Sequence, residues 1–298
     1  MSSACQVCGA PRVVAFAKVV DPQTREVFSI EACASCGLGH TTPQPDDLAR
    51  YYGETYHGQR HGFTARHADR RRLKWIDAVF PDKAAKSVLD VGCGDGTFLV
   101  AARNRGWKVT GTEMNPDIAR KEGLDVGTSL SDIAPRGPFD VITFWHTLEH
   151  MRDPKAMVLE ARALLAPGGA LFVAVPNAGG VQARFFGRHW FHLDVPRHLF
   201  HFTRTALENL VSTAGLKVVK RWDQEAEHGL FGWTQSALNT IVPEPNVLYA
   251  LLTGRPTSPW KAAASVAAGS VVTAAAAPVE MTAMARGLGG TFIVAARA

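Results

Sequence analysis

Between residues 87 and 113 the chain reads strand, glycine loop, helix, strand, an order that few folds accept. Ser87-Val88-Leu89-Asp90-Val91 is a short buried-strand run, and Gly92-Cys93-Gly94-Asp95-Gly96 turns it into a helical segment, 97–105, closed by Gly106. Residues 108–112 give a second strand ending at Glu113; Asn115 is then expected to cap a helix with Pro116 at its first position and Gly123 past its end. Such a βαβ unit predicts a parallel sheet with a ligand at the carboxyl ends of its strands. Glycines at the first turn let backbone approach that ligand, and the helix N–H groups face it. Glu113 closes the second strand where a carboxylate can accept both hydroxyls of a ribose. Dinucleotide enzymes share that acid, but here the spacing is Gly-x-Gly-x-Gly and Asp90 stands two residues before the first glycine.

Four of the five cysteines fall as Cys5-x-x-Cys8 and Cys33-x-x-Cys36, with 24 residues between the pairs. Tetrahedral zinc takes four soft thiolates, and two such knuckles supply two each when a hairpin joins them. Gly9 and Gly37 follow the knuckles, and residues 13–20 and 26–31 read as strands meeting at Asp21-Pro22. Disulfides are the alternative; a redox role lacks the βαβ surroundings it needs. Four thiolates leave no position for water, so the expected metal is structural. Cys93, the fifth cysteine, reads as a small packing residue.

Of 298 residues, 46% are hydrophobic and 20% charged, which excludes general disorder. The formal charge of +5 favours anionic ligands but falls short of the dense basic tracts of a nucleic-acid binder. The N-terminus has no basic start followed by an apolar run, so a reducing cytosol is the expected compartment. The alanine-dominated stretch 262–279 is too weakly hydrophobic to read as a span, and a buried or interfacial helix is expected there.

Residues 89–96 resemble the first motif of the class I S-adenosylmethionine-dependent methyltransferases. The resemblance runs on through Phe139-Asp140-Val141-Ile142-Thr143-Phe144, Leu148-Glu149-His150 and Leu165-Ala166-Pro167-Gly168-Gly169, covering residues 85–222. Residues 182–203 are similar to a bacterial subgroup with an N-terminal zinc ribbon. The resemblance implies an α/β fold with a Rossmann-like seven-stranded sheet, its sixth strand at 216–222 and an antiparallel seventh at 291–296. The segments then read as a ribbon (1–45), a helical lid or linker (46–84), the methyltransferase core (85–225 and 287–298) and a helical insertion (226–286). It also implies that Asp90, Gly92, Gly94 and Gly96 lie at the methionine part of S-adenosylmethionine, Glu113 at the ribose, Met114 and Asp132 at the adenine. Trp145 would border the cofactor, and Tyr52 or Tyr56 in the lid would touch its carboxylate.

Trp145, His146, Glu149 and His150 follow the fourth strand, where the crevice of an α/β sheet opens. His146, Glu149 and His150 are spaced i, i+3, i+4, which would put them on one helical face able to hold a metal or a proton-accepting dyad. Capping the helix start and packing the crevice wall is the alternative. In the ubiquinone-pathway O-methyltransferases that this segment resembles, two glutamates and a histidine at matching positions go with a divalent metal; the first position here is His146. For a hydroxyl acceptor, His146 or His150 is the expected base.

A second cluster comprises His189, Trp190, His192, Arg197 and His198, read either as stacking on a ring and gripping an anionic group or as a loop packed over the cofactor. Arg66, Arg70, Arg71, Arg72 and Lys74 read as a solvated basic helix face, and Thr205-x-x-Glu208 as a capping box. Two or three helices broken by Pro243, Pro245, Pro256, Pro259 and Pro278 are expected in the insertion, as a lid, dimer surface or lipid contact. Together these point to methyl transfer by in-line displacement onto a small-molecule, sugar- or lipid-linked acceptor of anionic character, near a membrane surface in the lipid case. A nicotinamide-dependent oxidoreductase fits less well, because of Asp90 and the glycine spacing. A non-catalytic zinc-ribbon module docking on RNA or protein would not need the intact loop.

Overall fold

The computed structural model of the protein describes residues 4–52, 62–82, 84, 86–242, 246–252 and 258–298. Three strands come first, β1 (Arg12–Val20), β2 (Val27–Cys33) and β3 (Gly39–Thr42), then helix α1 (Gly62–Val79). An alternating run follows: β4 (Ser87–Val91), α2 (Thr97–Arg103), β5 (Lys108–Thr112), α3 (Asp117–Lys121), β6 (Val126–Gly127), α4 (Leu130–Ile133), β7 (Phe139–Trp145), α5 (Pro154–Ala163) and β8 (Leu165–Pro176). The remainder is α6 (Val181–Phe186), β9 (Phe200–His201), α7 (Arg204–Thr213), β10 (Lys217–Trp222), α8 (Ala226–Ile241), α9 (Val247–Leu252), α10 (Pro259–Ala285) and β11 (Thr291–Arg297).

Two compact units result. The sheet unit comprises Gln59–Val175, Glu208–Trp222 and Ile293–Ala298; the ribbon unit comprises Met1–Gly58, Pro176–Leu207 and Asp223–Phe292. Packing therefore gathers the ribbon, the segment after β8 and the insertion into one body, where the sequence suggested separate pieces.

In the sheet unit seven strands run in the order β10-β11-β8-β7-β4-β5-β6, with β4 through β8 parallel and β10 antiparallel to β11. The parallel strands are near-continuous apolar runs, as strands covered on both faces must be: Val88, Leu89, Val141, Ile142 and Leu171 are wholly buried. Helix α1 brings Leu73, Trp75, Ile76 and Val79 into this core, with the Trp75 ring 6.2 Å from Trp145 and 5.8 Å from Trp222. The basic face expected on α1 is only partly solvated. Arg66, Arg70 and Lys74 are exposed, but Arg72 is buried, its Nη1 3.3 Å from Asp69 and its guanidinium over the Trp145 ring. Its charge is stabilised by that carboxylate and by the ring face.

Local details also depart from expectation. Pro116, not Asn115, occupies the position before α3, and no side chain caps that helix. Residues 165–169 form the start of β8, beside a register shift between Phe139 and Val141. The hydroxyl at the start of α7 belongs to Thr203, which accepts from the Ala206 N–H at 3.1 Å; Glu208 instead receives the Arg221 guanidinium, Nε to Oε1 2.6 Å.

In the ribbon unit β1, β2, β3 and β9 form one antiparallel sheet. Gly39 pairs with His201 and His40 with Phe200, so a late segment completes the ribbon. Its core joins Phe28, Ile30, Tyr51, Trp190, Val195 and Trp233. Helix α10 runs unbroken through Pro278 for 27 residues, long and apolar enough to cross a membrane; only 17% of its most apolar window, of mean hydropathy 1.6, is buried. Trp260, Val271 and Met281 stand largely exposed on it, so of the buried and interfacial helices expected here it is not the buried one, and it is more apolar than the sequence reading allowed. Its acid, Glu280, is buried, accepting from Trp233 Nε1 at 2.7 Å and from the Gly290 N–H at 2.9 Å.

Candidate functional site

The glycine loop of the sheet unit is built for close approach. Gly92 adopts φ +73°, and a Cβ there would meet Thr147 Cγ2 at 2.4 Å. Its N–H and that of Cys93 both donate to the Thr112 carbonyl, at 2.8 and 2.9 Å, tying the loop to the end of β5. Gly94, at φ +57°, faces open space instead: nothing lies within 4 Å of where its Cβ would be. That is the opening through which a ligand reaches backbone.

Glu113 stands beside it. Its Oε2 accepts from the Gly94 N–H at 2.9 Å and its Oε1 from the Met114 N–H at 2.7 Å, so the acid is aimed before any ligand arrives. Asp90, buried, accepts from Thr143 Oγ1 at 2.6 Å, and Gly96 packs on Leu124. Burial pushes the Cys93 thiol up strongly, and the charges of Asp90, Glu113 and Asp95 push it further. Three acids, Asp90, Asp95 and Glu113, thus stand about the loop. Their charges favour a sulfonium or ammonium over a pyrophosphate. The residues present fit S-adenosylmethionine on this ground, with the Met114 side chain, 70% exposed, left available to a ring.

Two residues expected at the cofactor also have structural partners. Asp132 Oδ2 accepts from the Thr128 hydroxyl at 2.8 Å, the Thr128 N–H at 3.0 Å and the Ser129 N–H at 3.1 Å. These bonds, the hydroxyl foremost, hold its carboxyl below the ordinary carboxylate range and close a capping box on α4. The Trp145 ring lies inside the core, edge-on to Phe98 and near Phe172. It supports the floor of the sheet.

After β7 no helical face forms. Leu148–His150 is a single 3-10 turn, and His146 precedes it at φ +56°, which costs a non-glycine residue about 1–2 kcal/mol. Its N–H donates to the Ala174 carbonyl at 2.9 Å, and its Nδ1 lies 3.7 Å from Glu149 Oε1. The structure thus brings buried Glu149 close to both histidines: His146 Nδ1 at 3.7 Å, and a ring nitrogen of His150 within 4.8 Å, while the His150 N–H donates to the Thr147 carbonyl. A strained imidazole beside a buried acid, though at 3.7 Å not hydrogen-bonded to it, is of the type that moves protons.

In the ribbon unit the four paired cysteines converge. Cys5 Sγ and Cys36 Sγ are 3.7 Å apart, Cys8 Sγ and Cys33 Sγ 3.4 Å, and all four sulfurs lie within 4.8 Å of one another. A tetrahedron of Zn–S bonds of ~2.3 Å spaces its sulfurs by ~3.8 Å. Burial pushes Cys5 and Cys36 up; it acts on Cys33 too, but the N–H groups of Cys36 and Ser35 prevail and bring it down to about 6.

Of the two readings of loop 187–198, an anion grip and a packed loop, the bonding within it fits the packed one. Arg197, 2% exposed, donates through Nε and Nη2 to Asp194 Oδ1 at 2.9 and 2.7 Å, and through Nη2 to Asp21 Oδ1 at 2.9 Å. It is an internal clamp, not an open anion grip. His198 Nδ1 donates to the His192 carbonyl at 2.8 Å, and both imidazoles are buried. Trp190 is buried with its Nε1 donating to Gln182 at 3.0 Å, whereas His189 is exposed. The Tyr52 hydroxyl donates to the Arg197 carbonyl at 3.4 Å; Tyr56 lies outside the described residues. Lys18, Arg25 and Arg188 border a cleft with His189 and Trp190; no sequence motif marked them.

Strand order, glycine loop and the acid after β5 define the Rossmann-like architecture of class I methyltransferases. Residues 64–221 match the methyltransferase domain family, and the chain belongs to it. Relatives include ubiquinone biosynthesis O-methyltransferases of Bordetella avium, 35% identical over 118 residues, and of Coxiella burnetii, 37% over 119; each match spans 36% of this chain and 49% and 50% of the relative. The chain thus spans about half the length of the curated relatives it matches. A candidate sarcosine dimethylglycine methyltransferase of Galdieria sulphuraria has the same fold at 14% identity, with TM-score 0.51 over 83% of this chain and 97% of that one.

Proposed function

We propose that the protein transfers the methyl group of S-adenosylmethionine to a small, anionic acceptor that is sugar- or lipid-linked. The observation that carries the reading is the open-backed glycine loop, where Glu113 Oε2 holds the Gly94 N–H at 2.9 Å and nothing lies within 4 Å of the Gly94 Cβ position. Bound S-adenosylmethionine supplies a methyl group already activated on a sulfonium, so positioning contributes much of the rate. Gly92 and Gly94 admit the cofactor to the backbone, Glu113 turns its oxygens toward the ribose hydroxyls, and Met114 flanks the base. His146, oriented by Glu149, takes the proton of an acceptor hydroxyl or amine. Cys5, Cys8, Cys33 and Cys36 hold a structural zinc, with no open position for chemistry. Helix α10 supports a peripheral site of action at the cytosolic face of a membrane, since its exposed apolar residues suit the interface.

Calorimetry of the full chain with S-adenosylmethionine, S-adenosylhomocysteine and NAD tests the class. Binding of the first two with no heat from NAD is expected. NAD binding without S-adenosylhomocysteine binding overturns the proposal.

A further inference from the structure

We infer that the cleft of the ribbon unit bordered by Lys18, Arg25, Arg188 and His189 is a binding site for a phosphate or diphosphate group. It is about 320 Å³ in volume, enough for a small ligand, and Trp190 forms part of its wall. The inference deepens the acceptor proposal and rests on it only in taking the anion to be part of the acceptor.

Three features converge on the cleft. The first is uncompensated charge. Among the described residues Lys18, Arg25 and Arg188 form no ion pair, and Arg188 Nε donates to His189 Nε2 at 3.3 Å, holding the two side chains side by side. The acids close by are spent elsewhere. Asp194, in the cleft wall, and Asp21 are both held by Arg197, and Glu26 is taken by Arg50 at 2.9 Å and the Tyr51 hydroxyl at 2.6 Å. Asp194, Asp21 and Arg197 together carry one negative charge, against three positive charges on the rim.

The second is a bulge. In β1 the register moves from Phe16 opposite Ile30 to Val19 opposite Phe28, so one extra residue is accommodated at Ala17–Lys18. A bulge re-aims a side chain out of the strand's alternation, and here it delivers Lys18 to the rim. The third is backbone strain. Five non-glycine residues among those described have positive φ, and four of them line this cleft: Lys18 (+56°), Arg25 (+63°), Asp194 (+35°) and Asn246 (+61°). Unfavourable backbone gathered on one concave, cationic surface is the signature of a binding site held in shape by its surroundings. Separate point charges without carboxylate partners match a multiply charged phosphate group better than a single carboxylate.

The test uses the full, zinc-loaded chain and a Lys18→Gln/Arg188→Gln variant, both sites being exposed. Lys217→Gln/Lys220→Gln on β10 removes the same charge elsewhere. Calorimetry with inorganic pyrophosphate is expected to show binding weakened at least tenfold by the first pair and unchanged by the second. Flotation with phosphatidylcholine vesicles containing phosphatidic acid forms the other arm. Loss confined to the vesicle arm assigns the phosphate to a lipid headgroup, and loss in the pyrophosphate arm to a soluble ligand; both support the site. No binding in either arm, or equal loss from the two variants, overturns it. S-adenosylhomocysteine binding is measured alongside, so failure of the methyltransferase reading is separately visible.

Discussion

Arg197→Met separates two roles for the guanidinium in loop 187–198. Arg197 is 2% exposed and Asp21 is fully buried, and the arginine links Asp21 to Asp194 while Nη1 reaches the Tyr51 carbonyl at 3.3 Å. Removing it leaves Asp21 with only the Thr24 N–H and hydroxyl as donors, at 2.9 and 2.8 Å, and no countercharge. Breaking a buried pair this way costs about 3–5 kcal/mol. At roughly 2–4 °C per kcal/mol for a body of this size, the unfolding midpoint drops by about 6–20 °C. Near-UV circular dichroism against temperature at pH 7 measures it. Adding Asp21→Asn removes the orphaned charge, so the double variant recovers by at least ~1 kcal/mol relative to additivity. A loss below ~1 kcal/mol in the single variant, or strict additivity in the double, refutes the clamp and returns Arg197 to the role of anion grip.

Burial, with the Arg12 charge adding to it, pushes the His40 imidazole from 6.5 down to about 4. The unfolded chain therefore binds the extra proton in that window, so stability is full above pH 6.5 and falls toward pH 4, by up to roughly 3 kcal/mol. His40→Phe should flatten this part of the acid unfolding curve, and coincident curves count against it. Chelating zinc, or replacing Cys33 by Ser, should abolish cooperative unfolding of the ribbon sheet while S-adenosylhomocysteine still binds; unchanged proteolysis of residues 4–52 after chelation argues otherwise. Glu113→Gln keeps the shape but loses an acceptor and a charge, so S-adenosylhomocysteine affinity should fall by about tenfold or more, and an unchanged dissociation constant removes the ribose assignment. Val271→Asp with Met281→Asp on α10 should abolish vesicle flotation, whereas flotation at the wild-type level excludes this helix as the contact.

The sheet unit was legible because its signals are local. The β4 and β5 boundaries match the expected strands residue for residue, since β4 is a short, largely apolar run ended by glycine and β5 a β-branched one closed by the charge of Glu113. The knuckle spacing likewise announced a cluster of sulfurs. What escaped depends on partners distant in sequence. Composition left Arg197 open between an anion grip and a packed loop; only the fold reveals that Asp21, 176 residues away, already holds it. No sequence signal marked Lys18 and Arg25, which a bulge and a turn bring to one cleft. The spacing of His146, Glu149 and His150 suggested a helix, but the left-handed backbone at His146 keeps that turn from starting early enough. Helix α10 defied the proline rule because Pro278 lies within a helix that neighbouring turns sustain.

The pairing of β3 with β9 has a consequence for synthesis. Cysteines 5, 8, 33 and 36 lie within 31 residues of one another, so a metal they hold would be taken up early, but Thr41 waits for His201, 160 residues later in the chain. At roughly 5–20 residues per second, that interval is about 8–32 s. Throughout it, a strand of the nascent hairpin presents unpaired backbone groups to every other chain nearby. Early metal capture would then serve to stop the half-made ribbon from recruiting a stranger in place of its own last strand.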